Sequence, residues 1–170
     1  MKKLAILILC IFISACGFHL RGSVDVPKWL ANIAIIMNHN DKQFEAILKS
    51  QLEGYNIPVK KDPATAQYWL VIARATIQQQ IISIGASTNP RQYTLILFVE
   101  FSLQNRKGDV IKLPKTIRVM RQLTINNDRI LGSTDEESIL IGEMKHDAAV
   151  QIINQLGHTD VMPIKPNKSQ

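Results

Sequence analysis

Cysteine and long apolar runs are both scarce in this chain of 170 residues, whose only cysteines are Cys10 and Cys16. The apolar run from Leu4 to Ile13 has about half of the ~20 residues that a membrane-spanning helix needs. No later stretch is long and apolar enough to span a bilayer. The sequence therefore argues against a spanning helix, and it leaves the chain after residue 16 without a cysteine for a disulfide or a thiolate metal site.

Recognisable catalytic signatures are also lacking. The chain has no GxSxG nucleophile elbow, no phosphate-binding P-loop, no GxGxxG loop and no cysteines at metal-binding spacing. None of the four histidines has another histidine at helical spacing; they are His19, His39, His146 and His158. We therefore expect a binding protein, not an enzyme, and one that needs no cofactor and no metal.

The N-terminal segment has the three-part layout of a secretory signal: two lysines, the apolar run, and small residues just before Cys16. Residues 13–16, Ile-Ser-Ala-Cys, resemble a bacterial lipobox, in which signal peptidase cuts before a cysteine whose thiol has been acylated. An ordinary signal with a chance cysteine is the alternative. We expect residues 1–15 to be cleaved and Cys16 to carry lipid, since each buried acyl CH₂ contributes about 0.8 kcal/mol to anchoring.

The residue after Cys16 and the net charge indicate where this anchored protein works. Gly17 is not the aspartate that resembles an inner-membrane retention signal in enteric bacteria, so we expect the periplasmic side of the outer membrane. Loss of Lys2 and Lys3 with the signal takes the formal charge from +6 to +4. That balance suits an anionic partner such as a phosphorylated glycolipid. The compartment, and the absence of a basic run interleaved with aromatics, argue against nucleic acid.

The chain after residue 15 divides into three parts. Residues 16–30 show little periodicity and include Pro27, which predicts an extended tether leading away from the membrane. Residues 31–160 form a single predicted domain, because the apolar patterns run through them without an internal repeat. Residues 161–170 contain two prolines and no pattern, so we expect a mobile tail.

Two helices are predicted from capping patterns and apolar stripes. Residues 40–43, from Asn to Gln, have the spacing of a capping box for the first helix, which Gly54 ends. The same box recurs at residues 133–136, from Ser to Glu, before the second helix. Residues 135–137 would then put three acids in its first turn, where the helix dipole favours anions, and Gly157 ends this helix.

Four strands are predicted, at residues 31–37, 67–82, 92–104 and 110–125. Residues 105–109, Asn-Arg-Lys-Gly-Asp, suit a type I turn with a glycine bulge, so the last three strands form an antiparallel meander. Pro114 marks an edge strand or a bulge. The fold class that follows is α+β, with two helices packed on one face of a mostly antiparallel, roughly four-stranded sheet.

The face of the sheet away from the helices is predicted to stay polar. In the last strand, Ile117, Val119, Leu123 and Ile125 share the buried face. The opposite face would carry Arg118, Gln122, Thr124 and some of Gln78, Gln79 and Gln80. Simple solvation and a docking surface both remain open as explanations of this face.

Residues 16–22, Cys-Gly-Phe-His-Leu-Arg-Gly, resemble the start of mature lipopolysaccharide-assembly lipoproteins, the LptE family. The resemblance continues through Pro27, the Gln-Tyr-x-Leu motif at 92–95, and Glu-Met-x-x-Asp-Ala-Ala at 143–149. It implies a lipoprotein that plugs and helps assemble the large β-barrel of the outer-membrane lipopolysaccharide translocon, an LptD-like subunit. It also implies binding of lipopolysaccharide during delivery to the outer leaflet. Another periplasm-facing outer-membrane lipoprotein, such as a secretin pilotin or a barrel-assembly accessory, is the alternative.

The resemblance also implies cationic contacts for the lipid A phosphates, for which arginine offers forked donors. Arg91 matches a position before the tyrosine strand where family members often carry a basic residue. Members can carry a lysine before the last helix, but residues 132–134 are Gly-Ser-Thr here. Arg129, Arg118 and Arg121 are the weaker candidates for lipopolysaccharide contact.

Overall fold

The computed structural model describes residues 30, 32–84, 90–124 and 130–157, without the side chains of residues 83, 84, 90, 91 and 130–134. The predicted signal peptide, the acylated Cys16, the tether before Leu30 and the C-terminal tail lie outside these ranges. The elements, in chain order, are β1 (Ile33–Met37), α1 (Lys42–Gly54), a 3₁₀ turn (Pro63–Thr65), β2 (Tyr68–Ile84), β3 (Pro90–Asn105), β4 (Val110–Thr124) and α2 (Ile130–Gly157). Within these ranges, no helix is long and apolar enough to cross a bilayer.

The four strands form one sheet in the order β1-β2-β3-β4. β1 runs parallel to β2, while β2, β3 and β4 form the predicted antiparallel meander. Both helices contribute to one hydrophobic core against the sheet, which confirms the predicted α+β class. A parallel β1–β2 pair is possible because α1 and the 3₁₀ turn lie between these strands in the chain and provide the long crossover that parallel strands need.

The hairpin between β3 and β4 confirms the predicted glycine turn. Gly108 has a φ of +86°, a left-handed conformation that glycine adopts without a Cβ clash. The N–H of Gly108 donates to the carbonyl of Asn105 at 3.0 Å, and the N–H of Asn105 donates to the carbonyl of Asp109 at 2.9 Å. Pro114 lies on the edge strand β4, beside a register shift opposite Phe101–Leu103, so both readings of this proline are confirmed.

Both predicted helix starts are wrong. The N-cap of α1 is Asp41, one residue later than predicted, and its Oδ1 accepts a hydrogen bond from the N–H of Phe44 at 3.0 Å. The second helix begins at Ile130, so residues 133–136 lie inside it and the acids at 135–137 are beyond its first turn. No proline stands at 130–134 to prevent the earlier start. The predicted ends at Gly54 and Gly157 are confirmed.

A bulge in β2 changes which of its residues face the helices. Leu70 and Ile72 are buried in the core, but the register shifts between Ile72 and Arg74. After this shift, the odd-numbered residues from Ala75 onward face the helices, because they stand opposite core residues of β3 such as Val99. The bulge therefore keeps β2 in the sheet while reversing its inside–outside alternation.

The apolar stripe of α2 packs into the hydrophobic core. Its predicted members Met144, Ala148, Ala149, Ile152, Ile153 and Leu156 are all buried, and Ile141 is half-buried against the core. The alanines have small side chains, which allow the helix axis to approach the sheet closely. The buried Lys112 of β4 donates from Nζ to the backbone carbonyl of Gln155, near the C-terminus of α2, where a cation is favoured.

Candidate ligand and partner surface

The sheet surface opposite the helices, which we call the open face, is built from cross-strand rows of β2, β3 and β4. Residues that stand directly opposite each other in an antiparallel pair share a face. The rows are Arg74–Glu100–Thr116, Thr76–Phe98–Arg118, Gln78–Ile96–Met120 and Gln80–Thr94–Gln122. The predicted polar residues Arg118, Gln122, Thr124, Gln78 and Gln80 are exposed. Gln79 instead lies on the helix face, where its Nε2 donates to Glu137 Oε1 at 2.6 Å.

An apolar strip crosses this face, which the prediction of a wholly polar surface missed. Ile96 is only 5 % exposed, Phe98 is half-buried, and Met120 is 49 % exposed. The signal was present in the sequence, because residues 95–99, Leu-Ile-Leu-Phe-Val, are apolar without alternation. Such a run is typical of a strand that is covered on both faces. The open face is therefore amphipathic, with polar rows on both sides of the strip.

Arg118 lies over the ring of Phe98, with its guanidinium carbon 5.7 Å from the ring centroid. This cation–π geometry orients an exposed arginine without neutralising its charge. Beside the pair is a hollow of about 230 Å³, lined by Arg74, Thr76, Gln78, Phe98, Glu100 and Thr116. The hollow has one cation, Arg74, and one carboxylate, Glu100, in its lining, and Arg118 lies outside it next to apolar surface and hydrogen-bonding side chains. The side of the hollow at Arg118 is therefore the part that can contact an anionic amphiphile.

Arg121 is placed differently from Arg118. It shares the helix face of β4 with Val119 and Leu123, and its guanidinium forms a salt bridge with Asp147 of α2. Its Nη1 also donates to the backbone carbonyl of Met120 at 3.0 Å. Strand alternation could have predicted this placement, because 121 is odd-numbered like the buried Val119 and Leu123 on either side of it. Arg121 therefore already has a partner within the fold.

The remaining predicted contacts are not brought together with Arg118. Arg91 is the second residue of β3, and its side chain is not described. Phe98, the partner of Arg118 across the sheet, is seven residues further along β3, which places the two arginine backbones about 23 Å apart. Arg129 and Cys16 lie outside the described residues. A single phosphate cannot bridge Arg91 and Arg118 over that distance.

A partly buried ionic cluster joins the two helices. Lys145 of α2 is 8 % exposed, and its Nζ lies 2.8 Å from Asp41 Oδ2 and 3.0 Å from Gln43 Oε1. Burial alone would raise the pKa of Asp41, but the hydrogen bonds from Lys145 and the Phe44 N–H and the Lys145 charge lower it. The aspartate caps α1 and binds α2 at the same time, so its role is structural.

The described histidines are not part of a metal-binding group. His146 on α2 hydrogen-bonds with the side-chain nitrogen of Gln51 on α1 at 2.9 Å, which ties the two helices together. His39 is exposed in the loop before α1. In the described ranges, no three His, Cys, Asp or Glu side chains are grouped closely enough to hold a metal ion.

Comparison with known protein families identifies the family of this chain. The profile of the LptE family, described as lipopolysaccharide-assembly, matches residues 30–156, which include all the described strands and nearly all of α2. The chain belongs to the LptE family. The family resemblance seen at residues 16–22 is thereby confirmed on a separate part of the chain.

Relatives of the LptE family agree with this assignment. The LPS-assembly lipoprotein LptE of Yersinia enterocolitica is 25 % identical over 144 residues, which cover 84 % of this chain and 69 % of that protein. The protein of the same name from Photorhabdus laumondii is 26 % identical over 143 residues, covering 84 % and 78 % of the two chains.

Solved structures show the same fold. A minor lipoprotein from Acinetobacter baumannii superposes with a TM-score of 0.67 at 22 % identity, covering 81 % of this chain and 98 % of that one. An uncharacterised lipoprotein B from Nitrosomonas europaea gives a TM-score of 0.68 at 23 % identity, covering 83 % and 90 %. These likenesses confirm the two-helix, four-stranded fold.

Proposed function

We propose that this LptE-family protein is an outer-membrane lipoprotein, anchored through Cys16 on the periplasmic side, that works in lipopolysaccharide assembly without catalysis. The observation that carries the proposal is the family match across residues 30–156, on a chain whose N-terminus has a lipobox. The protein plugs and helps to assemble the β-barrel translocon subunit, and it binds lipopolysaccharide on its way to the outer leaflet.

The open face supports the plug role through its polarity. The lumen of a large outer-membrane barrel is polar and holds water. A plug inside it needs a surface that stays hydrated where it does not touch the wall, and the polar rows of the open face meet that need. Most of the helix face of the sheet is unavailable for this purpose, because the core and both helices cover it.

Co-purification tests the plug role. The full-length chain, carrying a C-terminal affinity tag, is extracted from its own cells in mild detergent and isolated. We expect one large β-barrel protein at a near one-to-one ratio. A secretin subunit in its place would assign the protein to the pilotins, and the absence of any barrel would refute the plug. Mass spectrometry of the N-terminal peptide tests the acylation of Cys16 separately.

Arg118 and Arg91 are the candidate cations for lipopolysaccharide. Arg118 is the stronger on geometry, because it is exposed, oriented by Phe98, and next to the apolar strip of the open face. A phosphate near Arg118 would place the adjoining acyl chains over Ile96 and Met120. Arg91 is about 23 Å away along β3, so it would contact a different group of the ligand.

A matched set of charge reversals tests these contacts. Arg91→Asp and Arg118→Asp are compared with Lys107→Asp, which reverses a charge in the exposed β3–β4 turn at the far end of β3 from Arg91. We expect each arginine variant to weaken binding of labelled lipopolysaccharide about fivefold or more, as loss of a charge-assisted contact costs about 1 kcal/mol. Equal affinity of an arginine variant and the Lys107 control, at unchanged circular dichroism, would remove that arginine from the site.

A further inference from the structure

β2 has a long edge that no described strand covers. β1 pairs with β2 only from Tyr68 to Ile72, whereas β2 continues to Ile84. Beyond Ile72, the described part of the chain puts β3 on one side of β2 and no strand on the other. Residues 76–82 are all exposed, with Ile77 at 37 %, Ile81 at 53 % and Ile82 at 48 %.

The backbone geometry determines which groups this edge presents. Before the bulge, the backbone N–H and C=O groups of even-numbered β2 residues point away from β3. The Tyr68 N–H donates to the Asn32 carbonyl, and the Ile72 carbonyl accepts from the Asn38 N–H. The register shift between Ile72 and Arg74 reverses this alternation. The N–H and C=O groups of Ile77, Gln79 and Ile81 therefore point outward from the sheet.

The two edges of the sheet differ in their protection against further pairing. β4, the opposite edge, carries Pro114 and four cationic residues, Lys112, Lys115, Arg118 and Arg121. Prolines and charges of this kind block the addition of a strand. Residues 75–84 of β2, Ala-Thr-Ile-Gln-Gln-Gln-Ile-Ile-Ser-Ile, contain no charge, no proline and no glycine. The β2 edge can therefore accept a further strand, whereas the residues of the β4 edge oppose one.

Residues 77–81, Ile-Gln-Gln-Gln-Ile, have the same sequence in both directions. In an antiparallel pair of two such segments centred on Gln79, Ile77 stands opposite Ile81 and Gln78 opposite Gln80. Like side chains then stand opposite each other on both faces, with amide pairs of residues 78 and 80 on the open side. On the helix side, isoleucine pairs flank the central Gln79 pair, each of whose amides is bonded to Glu137. The backbone N–H and C=O groups of Ile77, Gln79 and Ile81 point outward and would bond to those of Ile81, Gln79 and Ile77 in the second copy. A two-fold axis at Gln79 repeats each of these hydrogen bonds.

We propose that the β2 edge, residues 77–81, pairs antiparallel with the same edge of a second copy of this chain, joining two four-stranded sheets into one. The partner is a second copy because the segment is self-complementary in backbone phase, side-chain type and lack of charge. This state belongs to the free lipoprotein and does not depend on the proposed role in the translocon.

Cysteine cross-linking in cell membranes tests the pairing with the full-length chain. Two copies of Gln79→Cys would face each other with Cα atoms about 5.5 Å apart, which lies within disulfide range. Thr76→Cys is the matched control, because it is exposed on the same strand but would stand opposite residue 82 of the second copy, about 20 Å from its own equivalent. Cys10 is predicted to leave with the signal and Cys16 to carry lipid, and both positions are the same in the two variants, so any link through them cancels.

We expect the disulfide-linked dimer to form about tenfold more with Gln79→Cys than with Thr76→Cys. Adding Ile81→Lys to Gln79→Cys places a cation in the pairing and should reduce the dimer about fivefold or more. Adding Ile139→Lys, at a 63 % exposed residue of α2, should leave it unchanged. Equal dimer yields at residues 76 and 79, insensitivity to Ile81→Lys, or a residue-79 adduct with a different protein would each overturn the proposal.

Discussion

Lys145 of α2 and Asp41 of α1 form a salt bridge of 2.8 Å between two residues that are 104 positions apart in the sequence. The side chain of Lys145 is 10 % exposed and that of Asp41 is 27 % exposed, so the pair is only partly solvated. Because the same aspartate caps α1, the start of the first helix depends on the position of the last one. The pair is therefore a link between local structure and the packing of the whole domain.

Lys145→Met should lower the free energy of unfolding by about 1–3 kcal/mol, because it leaves the Asp41 carboxylate partly buried without its cation. Urea denaturation followed by circular dichroism measures the change. Lys49→Met is the control, since Lys49 forms an exposed i,i+4 pair with Glu53 at 3.9 Å, which contributes about 0.5 kcal/mol or less. Equal losses in the two variants would contradict the role of the helix-to-helix bridge.

The pH dependence of stability should include a contribution from Asp41. The hydrogen bonds and the charge of Lys145 hold the pKa of Asp41 in the folded protein below its ordinary value, so the unfolded chain binds a proton more readily. The stabilisation is therefore present above about pH 4 and is lost as the pH falls through the folded-state pKa. Asp41→Asn retains a capping side chain but should lose this part of the acid sensitivity. Urea midpoints at pH 7 and pH 3 would show a smaller difference for the variant, and identical differences would rule out Asp41 as a source.

Two glycines should respond in opposite directions to alanine. Gly108→Ala places a Cβ at a φ of +86° and should destabilise the protein by about 1 kcal/mol. Gly142→Ala lies in α2, where the new Cβ would meet only Gln43 Nε2 at 3.9 Å, and should stabilise by about 0.5–1 kcal/mol. Thermal unfolding of both variants checks the signs. A shift of the two melting temperatures in the same direction would show that local backbone conformation does not control these positions.

Arg121 should matter to stability and not to ligand binding. Its salt bridge with Asp147 has side chains 39 % and 40 % exposed, so we expect only about 0.5 kcal/mol from the pair. A double-mutant cycle with Arg121→Met and Asp147→Asn measures this coupling through urea unfolding. In the same preparations, Arg121→Met should bind lipopolysaccharide as the unmodified chain does, whereas Arg118→Asp should not. A loss of affinity in Arg121→Met that matches the loss in Arg118→Asp would return Arg121 to the candidate site.

Much of the fold could be predicted because the relevant signals are local. Alternation at residues 116–124 and the helical stripe ending at Gly157 each repeat a short pattern that the burial confirms. The glycine turn at 105–109 is equally local, since a positive φ at Gly108 depends on that residue alone. The helix starts failed because capping spacings at 40–43 and 133–136 are weak signals that tertiary contacts override.

The candidate site was predicted less completely than the fold. Arg118 was placed correctly on the surface opposite the helices, but the apolar strip of Ile96, Phe98 and Met120 was missed. The strip combines residues from two strands, and their row is defined only by the register of the sheet. Asp147 illustrates the same point, because nothing local in the sequence indicates that it pairs with Arg121.

The sequence by itself determined the class of the protein: its periodicities specify two helices and a meander, and residues 16–22 indicate the family. Only the tertiary structure decided which charges are available. Arg118 and Arg121 are three positions apart on β4, so strand alternation puts them on opposite faces. Only the fold places Phe98 beneath Arg118 and Asp147 beside Arg121. The bulge after Ile72 likewise decided which groups the β2 edge presents. Local patterns follow from a few neighbouring residues, whereas pairing, register and charge neutralisation depend on residues that meet only when the chain folds.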